Sequence, residues 1–409
     1  MTCISPPKYV ITVLRRLESH GYSAYLVGGC VRDIIMCRRP NDWDICTSAL
    51  PEQVMEVFEN SRPTGIKHGT VTVIEHGSLV EVTTFRCDGE YLDHRRPDNV
   101  RFISDLRSDL ERRDFTMNAI AIPLSGLVFD PFGGAQDIEK RLIRCVGEAE
   151  KRFSEDALRM LRAMRFSAVL GFDIEQSTMD AIRSCSELSV SLAAERIRTE
   201  LEKTLLSGSP ELISDIISAG LLCGIIGDTR SAPVLSAIGR LPKNRAQRWA
   251  GLCALLKKHG TIDSVEDFLL ALRLDSATVH NASKGCRLVE NGAPDSKLSW
   301  KRLLSRSGVE SGKCAAAAAD VLYGSGHLRQ LTSVISGGDC FCLKRLEISG
   351  DDLLELGYSG KELGDSLYAL LDYVIEHPEC NSRSSLVARA AAMAGSAVPF
   401  IKGSDYDNC

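Results

Sequence analysis

Two different hydrophobic patterns divide the chain near residue 130. Before this point, short apolar or β-branched runs lie between helical stretches, as in "SAYLVGG", "GTVTVIEHG", "LVEVTTFR" and "NAIAIPLSG". Such runs are typical of strands, so the first part of the chain is predicted to form an α/β domain. The strand-like runs end after "DPFGG", residues 130–134.

Apolar residues recur at helical spacing in the rest of the chain. Examples are "ELISDIISAGLLCGII", "QRWAGLCALLKK", "SVEDFLLALRL" and "GDSLYALLDYVIEH", which are separated by clusters of Gly, Pro and Ser. This pattern predicts a long all-helical remainder. Because single cores tend to divide beyond about 250 residues, a chain of 409 residues is expected to contain several domains.

The composition narrows the class of protein. With 44% apolar residues, 25% charged residues and a net charge of -5, the sequence excludes a disordered chain and a globally basic nucleic-acid binder. The 15 cysteines are scattered and form no CxxC pair, so reduced thiols are expected instead of a zinc site. The N-terminus has no secretory pattern, and no stretch approaches the ~18 apolar residues of a membrane span. We therefore expect a cytoplasmic protein without a membrane partner.

A Gly-Gly turn follows the first strand-like run. In "AYLVGGCVRDII", residues 24–35, Gly28 and Gly29 stand between an apolar strand and the start of a helix. Backbone N–H groups at such a turn can approach a phosphate, and Arg32 adds a mobile positive charge one turn into the helix. The motif is neither GxGxxG nor a Walker sequence, and a purely structural turn is the more common explanation.

A pair of aspartates follows in "RRPNDWDICTSA", residues 38–49. If this run is a strand, Asp42 and Asp44 share one face and Trp43 points to the other. Two carboxylates at that separation can bind divalent metal ions jointly, and the metal charge removes their mutual repulsion. An exposed polar strand edge is the alternative. Glu81 in "LVEVTTFR" is either a third ligand or a solvated edge residue.

The turn, the arginine and the aspartates together indicate a site for a nucleotide and metal ions. These motifs, with others further along the chain, resemble those of the class II tRNA nucleotidyltransferases and their poly(A) polymerase relatives, and are most similar to those of bacterial CCA-adding enzymes. The resemblance runs in order from about residue 22 to 206. It rests on "LVGGCVRDIIMCRRPNDWDICTSA", "GTVTV", "EVTTFR", "ERRDFTMNAIA", "FDPFGGAQDI", "FSEDALRMLRAMRFSAVLGF" and "AERIRTEL".

The resemblance implies an α/β, polymerase-β-like nucleotidyltransferase head followed by an all-α neck, body and tail. The implied domains are the catalytic head at 1–146, the nucleotide-selecting neck at 147–207, the helical body at 208–300 and the tRNA-binding tail at 301–409. The implied activity is the addition of CCA to the 3′ end of tRNA without a nucleic-acid template. CTP and ATP would be the substrates, two Mg²⁺ ions the cofactors, and pyrophosphate the leaving group.

The resemblance also implies roles for single residues. Asp42 and Asp44 would be catalytic and would hold the Mg²⁺ ions. Gly29 and Arg32 would contact the triphosphate, and Asp114 would support the ribose side of the site. The nucleotide-binding residues would be Gly29, Arg32, Arg113, Asp156, Arg159, Arg162 and Arg165.

The stretch "SEDALRMLRAMR" agrees with these roles if it is one continuous helix. At 100° per residue, the acidic and basic side chains from Glu155 to Arg165 fall on one side and the apolar ones on the other. Asp156 can then accept a hydrogen bond from the amino group of cytosine or adenine, while Arg159 donates to the adjacent ring nitrogen. Guanine and uracil mismatch both groups, at about 1–3 kcal/mol for each contact. An ordinary i, i+3 ion pair is the alternative.

Two other functions stay open at this level. An enzyme restricted to the terminal A, or a poly(A) polymerase, would use the same chemistry. A catalytically inert RNA-binding protein is the less expected alternative, since it has no need of a metal pair. Residues 87–102, "CDGEYLDHRRPDNVRF", are polar and rich in turn residues. In the family this stretch is a loop that helps to switch from C to A addition, and its presence argues against an enzyme restricted to CC addition.

Overall fold

The strand-like runs of the first part of the chain form one mixed sheet in the computed structural model, which describes residues 4–88 and 100–394. The strands are β1 (Ala24–Val27), β2 (Asp44–Thr47), β3 (Ser61–Gly65), β4 (Thr70–Glu75), β5 (Ser78–Thr84), β6 (Arg86–Asp88), β7 (Val100–Phe102), β8 (Ala121–Pro123), β9 (Leu142–Ile143) and β10 (Asp173–Ile174). Six of them are ordered β3-β4-β5-β2-β1-β8. All neighbours in this sheet are antiparallel except β2 and β5, which run parallel. The parallel pair sets Asp44 directly beside Glu81.

Two small sheets accompany the main one. Strands β6 and β7 are antiparallel, and the chain between them, residues 89–99, lies outside the described residues. The predicted role of the 87–102 loop therefore falls largely outside the described residues. Strands β9 and β10 are parallel and join the end of the sheet domain to the first helices that follow it.

Helices fill the rest of the described chain, which divides into one compact unit up to Ser231 and another from Ala232. The first unit contains α1 (Lys8–Ser19), α2 (Gly29–Ile35), α3 (Pro51–Val57), α4 (Leu106–Glu111), α5 (Gly134–Glu139), α6 (Ala149–Glu155), α7 (Leu158–Leu170), α8 (Gln176–Ser184), α9 (Ala194–Leu205), α10 (Ile213–Ser218) and α11 (Cys223–Ile226). The second contains α12 (Arg245–His259), α13 (Val265–Ala271), α14 (Ser276–Leu288), α15 (Lys297–Ser307), α16 (Val309–Tyr323), α17 (His327–Ser336), α18 (Gly350–Glu355), α19 (Gly360–Glu376) and α20 (Arg383–Ala394).

Helix α1 shows why the first unit folds as it does. Its apolar residues Val10, Val13, Leu14 and Leu17 recur at helical spacing and are all buried. The inner residues of β2 are buried as well, with Ile45 and Cys46 fully inaccessible to solvent. The helix covers the sheet, and the sheet carries Asp44 at the first position of β2.

The second unit is built around α16. Its residues 315–319 are alanines, and all of them are fully buried. A Cβ on Gly285 of α14 would lie 2.6 Å from the Cβ of Cys314, so α14 and α16 approach more closely there than any larger residue would allow. Small residues thus set the distance between the central helices of this unit.

The predicted order, an α/β head followed by a helical remainder, is confirmed, and within the described residues the two-residue strand β10 is the exception in the helical part. The division into head, neck, body and tail stays a prediction, and the boundary between the two compact units falls inside the predicted body at 208–300. Within the described ranges, no helix is long and apolar enough to cross a membrane.

Helix α2 ends in a Schellman turn just before the aspartate pair. The N–H of Arg38 donates to the carbonyl of Asp33 at 2.7 Å, and the N–H of Cys37 donates to the carbonyl of Ile34 at 2.9 Å. Cys37 adopts a positive φ of 54°, where glycine is usual. The turn redirects the chain towards Asp42, at the cost of strain at a non-glycine residue.

We expect Cys37→Gly to raise the free energy of unfolding of the first unit by about 1 kcal/mol, because glycine adopts this φ without the Cβ clash. The measurement is urea or thermal denaturation. Cys37→Ala is the matched control, since it removes the exposed thiol and keeps the strain. Equal stabilisation of both variants would show that the thiol, and not the backbone, causes the effect.

Candidate active site

A cavity of about 330 Å³ lies in the first unit. The Gly28 turn and Asp44, at the start of β2, line one part of it, and the start of α7 lines another. The cavity is lined by glycines, by three aspartates of the predicted site and by several arginines. The lining residues are Gly28, Gly29, Arg32, Asp44, Arg112, Arg113, Asp114, Asn118, Asp156, Leu158, Arg159, Arg162 and Arg196. Most of the predicted site residues therefore meet in one place, although they are far apart in the sequence.

The Gly-Gly turn forms one end of this cavity. Gly28 has a φ of 72°, and α2 begins at the next residue. A Cβ on Gly28 would lie 3.3 Å from Arg113 Nη1 and 3.5 Å from Asp44 Oδ2, so the turn leaves the space in which these two side chains approach each other. The backbone thus passes close to both charged groups, as a phosphate-binding turn requires.

Arg32 lines the cavity but is held in place, so the expectation of a mobile charge is wrong. The residue is 8% exposed. Its Nη1 donates to Asn118 Oδ1 at 3.0 Å, and its Nη2 donates to Asp33 Oδ1 at 2.7 Å. The guanidinium also lies 5.3 Å from the centre of the Phe166 ring. Burial and these partners fix one orientation of the side chain.

Asp44 lies at the centre of a concentration of negative charge. Burial, Glu81 on the parallel neighbouring strand and Asp42 raise the pKa of Asp44 to about 6, while Arg113 opposes the shift. Asp42 is exposed and precedes β2, so the prediction that both aspartates lie within the strand is wrong. Trp43 between them is buried, as expected for a side chain that points to the face opposite the aspartates.

Arg113 stands beside Asp44 and is itself held by a buried carboxylate. Its Nη2 donates to Asp109 Oδ2 at 3.2 Å. Among the described residues, Arg113 Nε is buried and has no hydrogen-bond partner. Asp109 also accepts from Arg112 Nη2 at 2.9 Å, so one carboxylate serves two neighbouring arginines.

Asp114 is an almost completely buried carboxylate with several donors. It accepts from Arg162 Nε at 2.8 Å and Nη2 at 2.6 Å, from Asn118 Nδ2 at 3.1 Å and from the backbone N–H of Phe115 at 2.8 Å. Burial alone would raise its pKa, but the charge of Arg162 and the hydrogen bonds lower the pKa to about 2. Asp114 is therefore ionised and fixed on the cavity wall.

The stretch with Asp156 and Arg159 is not one continuous helix, which corrects the prediction. Helix α6 ends at Glu155, α7 begins at Leu158, and Asp156 between them has an extended backbone with φ -144° and ψ 103°. The Asp156 carboxylate instead accepts from both Nη atoms of Arg196 on α9, at 3.1 and 2.8 Å. It also receives the N–H of Leu158 at 3.1 Å, which caps the start of α7.

Arg159 is nevertheless brought to the same cavity as Asp156. Its Nη1 donates to Glu155 Oε2 at 2.7 Å, and its Nη2 donates to the carbonyl oxygen of Arg112 at 2.8 Å. The two groups predicted to contact the base are thus held by different partners, one on α9 and one on α6. Both lie on the cavity wall with fixed orientation.

Arg162 and Arg165 have different surroundings. Arg162 is half-buried and lines the cavity through its pairing with Asp114. Arg165 is 9% exposed, forms a buried ion pair with Glu200 on α9 and lies 3.8 Å from the centre of the Phe166 ring. The structure does not place Arg165 with the described lining residues, and its predicted role in nucleotide binding stays a prediction.

Several residues of the site were not predicted from the sequence. Asp109, Asn118 and Arg196 orient the predicted side chains, yet none belongs to a spacing that indicates chemistry by itself. The only available signal was the high density of arginines in "ERRDFTMNA" and "EDALRMLRAMR", because buried guanidinium groups require carboxylate partners. For Arg162 and Arg196 the partner is distant in the sequence, so its identity depends on the tertiary fold.

Two family models match the chain. Residues 24–144 match the poly A polymerase head domain, and residues 171–226 match the probable RNA and SrmB- binding site of polymerase A. The first range contains the sheet, the Gly-Gly turn and the aspartate pair. The fold and the cavity therefore define a nucleotidyltransferase with a polymerase head domain.

Individual relatives narrow the class further. The CCA-adding enzyme of Geobacillus sp. (strain WCH70) is 36% identical over 93% of this chain and 96% of its own length. The structure of the Bacillus stearothermophilus CCA-adding enzyme in complex with CTP is 32% identical, with a TM-score of 0.79 over 96% of this chain and 98% of that one. The chain belongs to the family of CCA-adding enzymes, which are tRNA nucleotidyltransferases. Nucleotidyltransferases of this family generally depend on a metal ion.

A more distant structure supports the fold alone. The Thermotoga maritima CCA-adding enzyme complexed with tRNA_CCA is 21% identical, with a TM-score of 0.69 over 96% of this chain and 97% of that one. The architecture is therefore retained where most of the sequence has changed.

We expect Asp114 to make the stability of the first unit depend on pH. Because its folded pKa of about 2 lies below the ordinary 3.8, its contribution is present above about pH 4 and is lost as the pH falls towards 2. The contribution is on the order of 2 kcal/mol. The difference in free energy of unfolding between wild type and Asp114→Asn should therefore be constant near neutral pH and shrink between pH 4 and 2.

Urea denaturation at a series of pH values checks this expectation. Asp180→Asn is the control, since the Asp180 side chain is 60% exposed and should change the stability little at any pH. A wild-type minus Asp114→Asn difference that stays constant down to pH 2 would contradict the assignment of a low pKa to Asp114.

Proposed function

We propose that this protein adds C, C and A in turn to the 3′ end of tRNA, using CTP and ATP and releasing pyrophosphate. One observation carries the proposal. A single cavity joins the carboxylate of Asp44, the Gly-Gly turn and an arginine wall that ends in Asp156 and Arg159. The activity of the related CCA-adding enzymes supports it, as does the CTP complex of the Bacillus stearothermophilus enzyme.

The carboxylates of Asp42, Asp44 and Glu81, near the start of β2, suit divalent metal ions. Asp44 carries a raised pKa because it is buried near Glu81 and Asp42, and a cation would relieve this repulsion. In the described ranges no group of three or more His, Cys, Asp or Glu side chains is arranged to hold a metal ion by itself. Mg²⁺ binds commonly through one or two carboxylates together with substrate phosphates and water, so a protein cage is not required.

In this proposal Asp42 and Asp44 would hold two Mg²⁺ ions together with substrate phosphates, and Glu81, beside Asp44 on the neighbouring strand, would be the candidate third ligand. Metal ions held there would supply Lewis-acid chemistry, polarising the α-phosphate and favouring ionisation of the attacking 3′ hydroxyl. The protein supplies the positioning. Gly28, Gly29 and Arg32 would receive the triphosphate, and Arg113, which lies with Asp44 at the Gly28 turn, would contact the nucleotide.

Base selection would come from the protein. Asp156 offers a carboxylate acceptor held by Arg196, and Arg159 offers a guanidinium donor held by Glu155. Cytosine and adenine both present an amino group next to a ring nitrogen acceptor, so both complement this pair. Guanine and uracil present a carbonyl and an N–H there and would leave desolvated groups unpaired.

The RNA would extend from the cavity over the helices that follow. The range 171–226 contains α8 to α11 and matches the RNA-binding model named above, which supports contact with tRNA. Reduced cysteines, which are free throughout the described residues, are compatible with the cytoplasmic location that we propose.

The deciding experiment uses purified protein, Mg²⁺ and labelled CTP or ATP with tRNAs that lack CCA, CA or A. We expect C to be added to the first two substrates and A to the third. Addition of A alone would indicate an A-adding enzyme, and long A tracts would indicate a poly(A) polymerase. No incorporation into any of these tRNAs would refute the proposed function.

Asp44→Asn should abolish addition of both C and A, because the site loses the carboxylate nearest to the turn. The same change should leave the protein at least as stable as wild type, since it removes a buried charge beside two like charges. The measurements are the addition assay and thermal denaturation of the same preparation.

Glu52→Gln, which alters an exposed residue of α3, serves as the control and should keep full activity. Residual addition by Asp44→Asn above one hundredth of the wild-type rate would argue against a metal-binding role for Asp44.

Asp156→Ala should weaken the choice of base more than it weakens addition itself. Losing the acceptor removes one of the two contacts that reject guanine and uracil, each worth about 1–3 kcal/mol. The readout is the ratio of kcat/KM for CTP over UTP and for ATP over GTP, which should fall tenfold or more. Asp173→Ala, at an exposed carboxylate of β10, is the control. Unchanged ratios in Asp156→Ala would contradict selection by the protein.

A further inference from the structure

Asp109 is a completely buried carboxylate to which the proposed chemistry assigns no role. It lies on α4 and is 0% exposed. Although burial alone would raise its pKa, the charges of Arg113 and Arg112 lower the pKa below its ordinary value. An ionised group at this depth is costly unless its partners are fixed, so the arrangement around it is rigid.

The two oxygens of Asp109 serve different parts of the site. Oδ2 accepts from Arg113 Nη2 at 3.2 Å. Oδ1 accepts from Arg112 Nε at 3.1 Å and Nη2 at 2.9 Å, and from the backbone N–H of Arg86 at 3.2 Å. Arg86 is the first residue of β6, so the carboxylate also fixes the chain where the β6/β7 pair begins.

Arg113 depends on this single carboxylate for its position. Its Nη1 approaches the Gly28 turn beside Asp44, while its buried Nε has no partner among the described residues. Without Asp109, the guanidinium would lose its one hydrogen bond to the described part of the chain, and its charge would be drawn towards Asp44.

Arg112 extends the influence of Asp109 to the opposite wall. Its Nε also donates to the carbonyl oxygen of Arg86 at 3.1 Å, which holds the arginine against β6. Its own carbonyl accepts from Arg159 Nη2 at 2.8 Å. A chain of contacts therefore leads from Asp109 to the side chain that is proposed to contact the base.

We propose that Asp109 is a positioning residue for the incoming nucleotide, which it orients chiefly through Arg113 and without touching the substrate. The inference rests on the proposed function, because it assumes that Arg113 binds CTP and ATP. It assigns to Asp109 an effect on nucleotide affinity that a purely structural ion pair does not have.

The test compares equilibrium binding of CTP to the wild type and to Asp109→Asn by calorimetry. The isosteric amide removes the charge and presents an N–H to the arginines, so we expect the Kd for CTP to rise tenfold or more. In the addition assay, KM for CTP and ATP should rise to a similar extent while kcat changes less than threefold. An unchanged Kd in the folded variant would overturn the proposal.

Asp137→Asn is the matched control. Asp137 on α5 is also 0% exposed, forms an ion pair with Arg144 and accepts from the Thr116 hydroxyl at 2.6 Å. It is not among the described residues that line the cavity. Both variants should lower the melting temperature, but Asp137→Asn should change the Kd for CTP less than twofold. Equal weakening by both variants would assign the effect to general destabilisation.

A double-mutant cycle tests whether Asp109 acts through Arg113. In an Arg113→Lys background, Asp109→Asn should lose most of its effect on the Kd for CTP. A further tenfold weakening in that background would show an independent role and overturn the proposal.

If Asp109→Asn does not fold, Asp109→Glu keeps the charge and displaces it by one methylene group. A folded Asp109→Glu protein is expected to bind CTP more weakly than wild type, and a wild-type Kd would overturn the proposal. An error in the proposed function would give a different result from an error in the role of Asp109. A wild type that binds CTP yet adds nothing to tRNA would refute CCA addition, and the Kd values would still decide the role of Asp109.

Discussion

The candidate active site depends on pairing its buried and half-buried guanidinium groups with carboxylates, two of them four residues away and two of them distant in the sequence. Arg113 pairs with Asp109, Arg162 with Asp114, Arg159 with Glu155, and Arg196 with Asp156. A buried arginine without such a partner would cost several kcal/mol, so these pairs stabilise the wall of the cavity. The positive charge that a triphosphate requires is thereby collected in one place within a chain whose net charge is -5.

The same pairing organises the site before any substrate arrives. A guanidinium that already has its orientation loses little conformational freedom on binding, and this preorganisation favours affinity and catalysis. The carboxylates around the start of β2 differ, because like charges lie close together there. Asp44 lies near Glu81 and Asp42, and its raised pKa marks a place where the structure accepts repulsion instead of relieving it. Repulsion between like charges that is only partly offset, here by Arg113, is common where function, and not stability, determines the residue.

The sequence was sufficient for the general architecture and for most of the cavity. Local patterns predicted the strand–turn–helix at Gly28 and the change from sheet to helices, because these depend on neighbours in the chain. The break at Asp156 was not predicted, since helical spacing continues through the stretch and only the contact with Arg196, on another helix, reveals the extended residue. Asp109 was missed for a similar reason. Its arginine partners stand three and four residues away, but this spacing is also that of an ordinary surface ion pair, and the complete burial that distinguishes Asp109 is not visible in the sequence.

The extended backbone at Asp156 has a consequence for engineering. Asp156, the acceptor proposed to contact the base, belongs to the link between two helices, and its direction is set by Arg196 on a third helix. A mutagenesis library confined to α7 would therefore vary the donor, Arg159, and leave the acceptor, Asp156, unchanged. Redesign of nucleotide preference in this scaffold has to include α9, even though that helix contributes no group to the predicted contact with the base.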